Sequence, residues 1–409
     1  MNKNTIAISL LTALSAGSLG AQSLYDLAPD DSTTESLPLA LTAGFNLGYD
    51  DNPTPLFGGD ESFYGQAYVG ATFLHNSPQT TFNFGAQIGV IHYFDNLDVP
   101  GRNVDDTTFT ISLYANWTRR VSERLRFVSR NNLAYELEPD FSTGFQAQRQ
   151  VGNYFRYSTD NAVGYRWSER LATYTGVRFN GISFDDFPAG DRSLVTIYND
   201  FRYQVSERTV ATLTYRYQDV DGEGSVPDAT NHFILVGLEH RFSPRSTAVV
   251  RAGAQIREVD FGTDGNSPYL EATLRTQVNE RFSLRTYARY GVEDWQRVLQ
   301  LPFPGPTVLY SNTDTLRLGV TGNYALSRAI NLTGGVNLAF LDFNDPQGPA
   351  PVGLNSVSEE LVNVFVGFDY AVDDSLSVNF RYNFEDLSSD AVGRNYDRNR
   401  ISIGASKTF

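Results

Sequence analysis

Three features of the sequence predict an all-β chain that closes as a transmembrane, antiparallel, up-and-down β-barrel of about 18 strands, with 16 as the alternative. The first is the run Ile401-Ser-Ile-Gly-Ala-Ser-Lys-Thr-Phe409, in which apolar and small or polar residues alternate. Alternation at period two is a strand with one apolar face and one wet face. The second is a short turn of similar chemistry that recurs at spacings of about 36 to 48 residues. The third is that alternating segments of about ten to thirteen residues flank each turn, long enough to cross a bilayer at a tilt. A mean hydropathy of −0.31 fits strands that are apolar on one side only.

Taken from the N-terminus, Met1-Asn-Lys-Asn precedes an apolar stretch from Thr5 to about Leu19 and the small residues Gly20 and Ala21. That order of charge, apolar core and small residues predicts a secretory signal peptide over 1–21. Residues 22–38 lack a clear period and are read as a short periplasmic N-terminal segment, with the barrel over 39–409. The chain has no cysteine, so it carries neither a lipobox nor a thiolate metal site. No apolar run beyond the signal reaches the eighteen residues that a membrane helix needs. A formal charge of −15 argues against nucleic acid as a partner. Carboxylates crowd the segments between strand pairs, for example Asp50, Asp51, Asp60 and Glu61, whereas arginine recurs within the strands.

The turns come next. Val121-Ser-Glu-Arg124, Trp167-Ser-Glu-Arg170, Val205-Ser-Glu-Arg208 and Val278-Asn-Glu-Arg281 share one pattern. Phe242-Ser-Pro-Arg245, Leu326-Ser-Arg328, Val372-Asp-Asp-Ser375 and Asn76-Ser-Pro78 are variants of it. Ser, Asn, Asp and Pro favour tight turns through local side-chain bonds or a fixed φ. Eight such turns give sixteen strands, and a first strand near 39–49 with a last near 398–409 makes eighteen. Both ends then lie on the turn side, the periplasmic side of such barrels. Longer acidic segments with Gly and Pro separate the hairpins. The two longest, 294–312 with Leu301-Pro-Phe-Pro-Gly-Pro306 and 343–358, are read from their prolines as stiff external loops and not as a plug.

Parity assigns the faces. After Phe282, Leu284, Thr286, Ala288, Tyr290 and Val292 share one side and Arg285, Arg289 and Glu293 the other. After Ser375, Leu376, Val378, Phe380, Tyr382 and Phe384 oppose Ser377, Asn379, Arg381, Asn383 and Glu385. An Arg or Lys on the lipid face at the bilayer midplane costs about 2–4 kcal/mol, so arginines of one parity point into the lumen. Trp117, Tyr135, Trp167, Tyr203, Phe242 and Tyr324 are read as an aromatic girdle beside the turns.

The ending at Phe409 resembles the C-terminal signature that outer-membrane barrels present to their assembly machinery, with Lys407 departing from it where an apolar residue is usual. The stretch Leu39-Ala-Leu-Thr-Ala-Gly-Phe-Asn-Leu-Gly-Tyr-Asp-Asp-Asn-Pro53 resembles the first strand of the bacterial beta-barrel porin type 2 family, closing on Tyr49, Asp50, Asp51 and Asn52. The resemblance implies a barrel in the outer membrane of a Gram-negative envelope, amid lipid and lipopolysaccharide, with the substrate unassigned. Some similar proteins accompany exopolysaccharide export. No functional residue carries over beyond the first-loop element, which reads better as a structural turn than as a site.

The pore-lining candidates are Arg126, Arg130, Arg178, Arg216, Arg251, Arg285, Arg289, Arg317 and Arg381, with Glu293 and Glu385; Arg156, Arg257 and Arg275 share their parity. Rings of arginine favour anions, and a guanidinium fork also bonds sugar hydroxyls and carboxylates. The competing reading is a structural network of inward Arg and Glu. A barrel of this size is expected to leave an aqueous channel. The expectation is a porin-like channel, monomeric or oligomeric, for passive diffusion of small hydrophilic solutes, biased towards anions or polar sugars. The alternative is a barrel accessory to exopolysaccharide export or envelope structure. An enzyme is disfavoured, because His75, His92, His232 and His240 form no diagnostic site. Asp219-Val-Asp-Gly-Glu223 lacks most ligands of a calcium loop and reads as a solvated acidic turn. No cofactor or metal is expected.

Overall fold

In a computed structural model the described residues are 36–409, apart from 55–58, 96, 100–101, 104, 138–152, 186–189, 224–225, 261, 295–297, 302–304, 306, 348–350 and 352. The signal-peptide expectation lies outside them, as does most of the segment 22–38. Leu37 and Pro38 are already strand, so the barrel begins two residues earlier than expected.

Eighteen long strands of 11 to 19 residues form the wall. The first six are β1 (Leu37–Asp50), β2 (Ser62–Asn76), β3 (Thr80–Tyr93), β4 (Thr107–Arg120), β5 (Leu125–Glu136) and β6 (Tyr154–Arg166). Next come β7 (Leu171–Phe184), β8 (Arg192–Ser206), β9 (Thr209–Gly222), β10 (Ala229–Ser243), β11 (Ser246–Val259) and β12 (Gly265–Gln277). The last are β13 (Phe282–Val292), β14 (Thr307–Ala325), β15 (Ile330–Pro346), β16 (Val357–Ala371), β17 (Leu376–Ser389) and β18 (Tyr396–Thr408). Each pairs antiparallel with its chain neighbours. β18 returns to β1, from Thr42 opposite Thr408 to Asp50 opposite Arg400, and closes the barrel. Closure removes the sheet edge, so wall amides and carbonyls pair within the sheet without water.

All eight short turns fall where the repeat places them, and one device explains the repeat. The side-chain oxygen of Ser122 accepts from Arg124 N at 3.2 Å and Leu125 N at 3.0 Å. Ser168, Ser206, Ser243, Asn279 and Ser327 accept backbone amides in the same way, as do Ser77 and Asp373. A short acceptor at the turn's start replaces the ladder bonds that the reversal interrupts.

The outer face is the apolar one. Ile234, Val236 and Leu238 on β10 stand out from the wall, while Phe233, Leu235 and Glu239 between them are buried inside. Exposed side chains such as Phe45, Leu47, Val69, Ile88, Ile197, Leu213 and Ile403 continue this belt around the barrel. An apolar surface of that extent is stable only when lipid covers it, so the fold is that of a transmembrane barrel. Trp167, Tyr203, Phe242 and Tyr324 rim the short-turn end, as the sequence predicts. Tyr135 does not. It sits at the long-loop end of β5, where its hydroxyl donates to Asp185 Oδ2 at 2.5 Å, in a second aromatic rim with Phe63, Phe94 and Phe109.

Tyr49, Asp50, Asp51 and Asn52 clasp the seam. Arg398 takes the buried Asp50 carboxylate in a fork, with Nε to Oδ1 at 2.9 Å, and Arg400 Nε stands 3.7 Å from Oδ2. Asp51 accepts from Asn399 N and Nδ2 at 2.6 and 2.8 Å. Asn52 Nδ2 donates to Asp397 O at 3.0 Å. The first-loop element is therefore structural, joining the start of the barrel to its last strand.

Candidate functional site

The inner wall divides into three zones. At the long-loop end it is apolar and packed. Tyr310, Ala339, Leu341, Phe343, Val357, Leu361, Leu387 and Tyr396 form one buried cluster with the loop residues Leu299, Leu354 and Ala391. Val298 enters a second cluster with Tyr154, Ile182, Phe184 and Val226. Between β13 and β14, Val298–Gln300 pairs antiparallel with Thr307–Leu309, folding back on β14 as a short strand. The expectation of stiff external loops at 294–312 and 343–358 is corrected here. Val298, Leu299 and Leu354 are swallowed by the mouth because they are apolar and the inward face there offers apolar partners. Pro302, Pro304 and Pro306 themselves lie outside the described residues.

The middle zone is polar. A network of ion pairs runs from β6 to β14, and most of its carboxylates hold two arginines. Asp200 Oδ2 takes Arg202 Nη1 at 3.2 Å and Arg251 Nη2 at 3.8 Å. Glu271 Oε1 takes both Arg216 and Arg251 at 2.7 Å. Glu293 joins Arg289 to Arg317, whose Nη2 stands 2.8 Å from Oε2. Arg202 Nη2 also reaches Glu239 at 2.5 Å, and Arg178 pairs with Asp160 at 3.0 Å. Tyr269 OH donates to Glu271 Oε2 at 2.9 Å, and Arg216 stacks over that ring at 5.8 Å.

Next to this arc along the wall, beyond β14, runs an amide ladder. Asn337 Nδ2 donates to Asn363 Oδ1 at 3.0 Å, Asn363 to Asn383 Oδ1 at 2.8 Å and Asn383 to Glu385 Oε1 at 2.9 Å. The amide ladder spans β15 to β17.

The third zone, towards the short turns, holds Arg126, Arg130, Arg275 and Arg285, all of inward parity. Arg275 stands directly opposite Arg285 in the register of β12 and β13. Arg130, from β5 on another part of the wall, lies within Coulombic reach of Arg275 and Arg178.

All the arginines predicted to line the lumen take inward positions, Arg381 included, where it pairs with Asp369 at 2.5 Å. Arg317, Glu293 and Glu385 are buried in polar contacts and do not form an open wall. Parity reasoning passed over Arg202, although it shares a face with Asp200, and over Arg192, Arg398 and the ladder members Asn337 and Asn363. The same alternation that places Asp200 and Asn383 would have found them. None of the four histidines enters the lumen. His92 Nδ1 contacts Thr107 Oγ1 at 2.7 Å, His240 Nδ1 contacts Thr209 Oγ1 at 2.9 Å, and His232 lies against Tyr215, all on the outer face with His75. Asp219 to Gly222 are strand residues of β9, not a calcium loop, and no metal-ligand cluster occurs among the described residues. Phe409 is exposed, with Lys407 Nζ 5.6 Å from its ring centre.

No described sequence family matches the chain, and no curated protein does. Solved structures match over nearly its whole length. Acinetobacter baumannii OccAB4 is 10% identical with a TM-score of 0.46, covering 92% of this chain and 100% of its own. Pseudomonas aeruginosa OpdK, solved with vanillate, is 12% identical with a TM-score of 0.45, covering 91% and 99%. Pseudomonas aeruginosa OccK2 (OpdF), solved with glucuronate, is 11% identical with a TM-score of 0.44, covering 91% and 98%.

Proposed function

We propose that the chain is an outer-membrane channel through which small hydrophilic solutes diffuse, with a wall biased towards anions and polar sugars and both termini in the periplasm. One observation carries this reading: the network sets six arginines, Arg178, Arg202, Arg216, Arg251, Arg289 and Arg317, against the five carboxylates of Asp160, Asp200, Glu239, Glu271 and Glu293, so it keeps an excess of positive charge. Fixed guanidinium groups lower the energy of an anion in a confined lumen and raise that of a cation. The amide ladder beside the network adds donors and acceptors that suit hydroxyls. The channel reading needs no bond-making chemistry.

The packed mouth favours a second reading, a barrel accessory to exopolysaccharide export or envelope structure that conducts nothing on its own. Conductance of the refolded protein in a planar bilayer under a salt gradient separates the two. Anion-leaning steps are expected, with the reversal potential moving towards cation preference in Arg275→Glu plus Arg285→Glu. A cation-preferring parent would sink the arginine-wall reading. Silence from a barrel shown to be folded by heat-modifiable gel mobility would favour the accessory role.

A further inference from the structure

We propose that the barrel mouth holds a carboxylate-binding site, built by Arg257 and Asn231 with Arg192 beside them, which Asp294 fills in this structure and for which a solute carboxylate competes. The inference rests on the channel reading above and adds to it the chemistry that releases the mouth.

The site is built from strands that Asp294 does not belong to. Arg192 is on β8, Asn231 on β10 and Arg257 on β11, whereas Asp294 follows β13, so its carboxylate reaches back past β12. All four are nearly inaccessible, at 3%, 0%, 1% and 3% exposure. Asn231 Nδ2 donates to Asp294 Oδ2 at 2.9 Å, and Arg257 Nη1 stands 2.6 Å from Oδ1. Arg192 Nη1 donates to the Asp294 carbonyl. Gln255 fixes the approach, with its amide exchanging two 3.0 Å bonds with the backbone of Val292.

The seat is incompletely used, and this independent observation points to a ligand. Arg257 comes nearest to Asp294 with Nη1, while its Nε and Nη2 are buried with no hydrogen-bond partner, as is Asp294 Oδ1. A guanidinium binds carboxylate best through two parallel N–H donors. Arg317 does this to Glu293 with Nε and Nη2 both on Oε2, at 2.9 and 2.8 Å, and Nε also on Oε1 at 3.0 Å. Asp294 is tethered and leaves that pair of donors unmet; an untethered carboxylate can turn to meet it. Leaving those donors dry is costly, and a ligand that satisfies them gains accordingly.

Release has a defined consequence. Four residues beyond Asp294, Val298 is buried at 2% against Tyr154, Ile182, Phe184 and Val226. Displacing Asp294 removes the polar tie four residues before Val298, so Val298 becomes accessible.

The chain has no cysteine, so Val298→Cys supplies one thiol for timing with a polar maleimide on folded, detergent-solubilised barrel. Labelling is expected to be slow in chloride and at least tenfold faster when acetate replaces chloride at equal ionic strength. Asp294→Asn and Arg257→Gln, each added to Val298→Cys, should label fast in chloride and lose the acetate response. Fast labelling of the parent in chloride would overturn the proposal. So would acceleration by Asp294→Asn without any by acetate, which would leave a structural tie and no ligand site. The readout does not depend on conductance, so a silent barrel would count against the channel reading and leave this test intact.

Discussion

Tyr198 reaches a partner two strands away because a glycine lies between them. It stands opposite Gly176 in the β7–β8 register, its ring lies flat across that glycine, and its hydroxyl donates to Asp160 Oδ1 on β6 at 2.8 Å. A Cβ at position 176 would fall 2.5 Å from the Tyr198 ring and hydroxyl, closer than atoms allow. The same carboxylate receives Arg178, which also sits 5.7 Å over the Tyr198 ring. One residue without a side chain thus orients a tyrosine, a carboxylate and an arginine of the luminal wall. Gly176→Val should lift Tyr198 from the wall and destabilise the barrel by about 1–3 kcal/mol, the usual cost of overpacking. Unfolding by urea in micelles, followed by tryptophan fluorescence, measures this. A Gly176→Val barrel with an unchanged midpoint would show that the ring is free to move. Parity alone placed Arg178 inside, but it could not reveal this reach, since parity knows faces and not distances along the wall.

Among the elements, the turns were legible and one long loop was not, for a physical reason in each case. A turn is local: Ser-Glu-Arg and its variants state their hydrogen bonds within four residues, so the sequence carries the whole argument. Between β13 and β14, two apolar residues find partners far along the chain, Tyr154 and Ile182 for Val298, Phe343 and Leu361 for Leu299. The signal was the apolar Val298, Leu299 and Leu301 in a loop otherwise read as exposed, and the prolines drew the eye away from it. The turn at Asp373 also lends itself to titration. Its carboxylate accepts from Ser375 N at 2.7 Å, Leu376 N at 2.8 Å and Ser375 Oγ at 3.0 Å, and these bonds hold it below the usual carboxylate range. A depressed carboxylate contributes stability above its unfolded-state pKa of about 3.9, and that contribution is lost as pH falls through the folded-state value. Asp373→Asn should keep much of the turn geometry and flatten the acid side of a stability–pH curve. An acid limb of unchanged slope in that variant would assign the dependence to other carboxylates.

For the whole molecule the decisive contact is the one between its ends. Among the described strands, β1 and β18 alone form a ladder between opposite ends of the sequence, so nothing local secures it. Barrel and strand count could be inferred from alternation and the turn repeat, and the resemblance over Leu39–Pro53 marked Tyr49 to Asn52 as a unit, but its task needed the last strand in place. Asp50 is fully buried, between Arg398, which forks onto it, and Arg400, whose guanidinium lies 4.3 Å above the Tyr64 ring. Removing one partner of a buried pair leaves the other charge without compensation, at a cost of about 3–5 kcal/mol. Asp50→Ala should therefore convert to the unfolded gel band at a markedly lower temperature than the parent. Asp51→Ala, which loses hydrogen bonds to Asn399 but strands no buried arginine, should shift less. Double replacement of Asp50→Leu with Arg398→Leu separates the two causes. Recovery towards the parent temperature would identify the stranded charge as the fault. If instead all three barrels convert together with the parent, the ladder bonds of the seam suffice for closure and the clasp is dispensable.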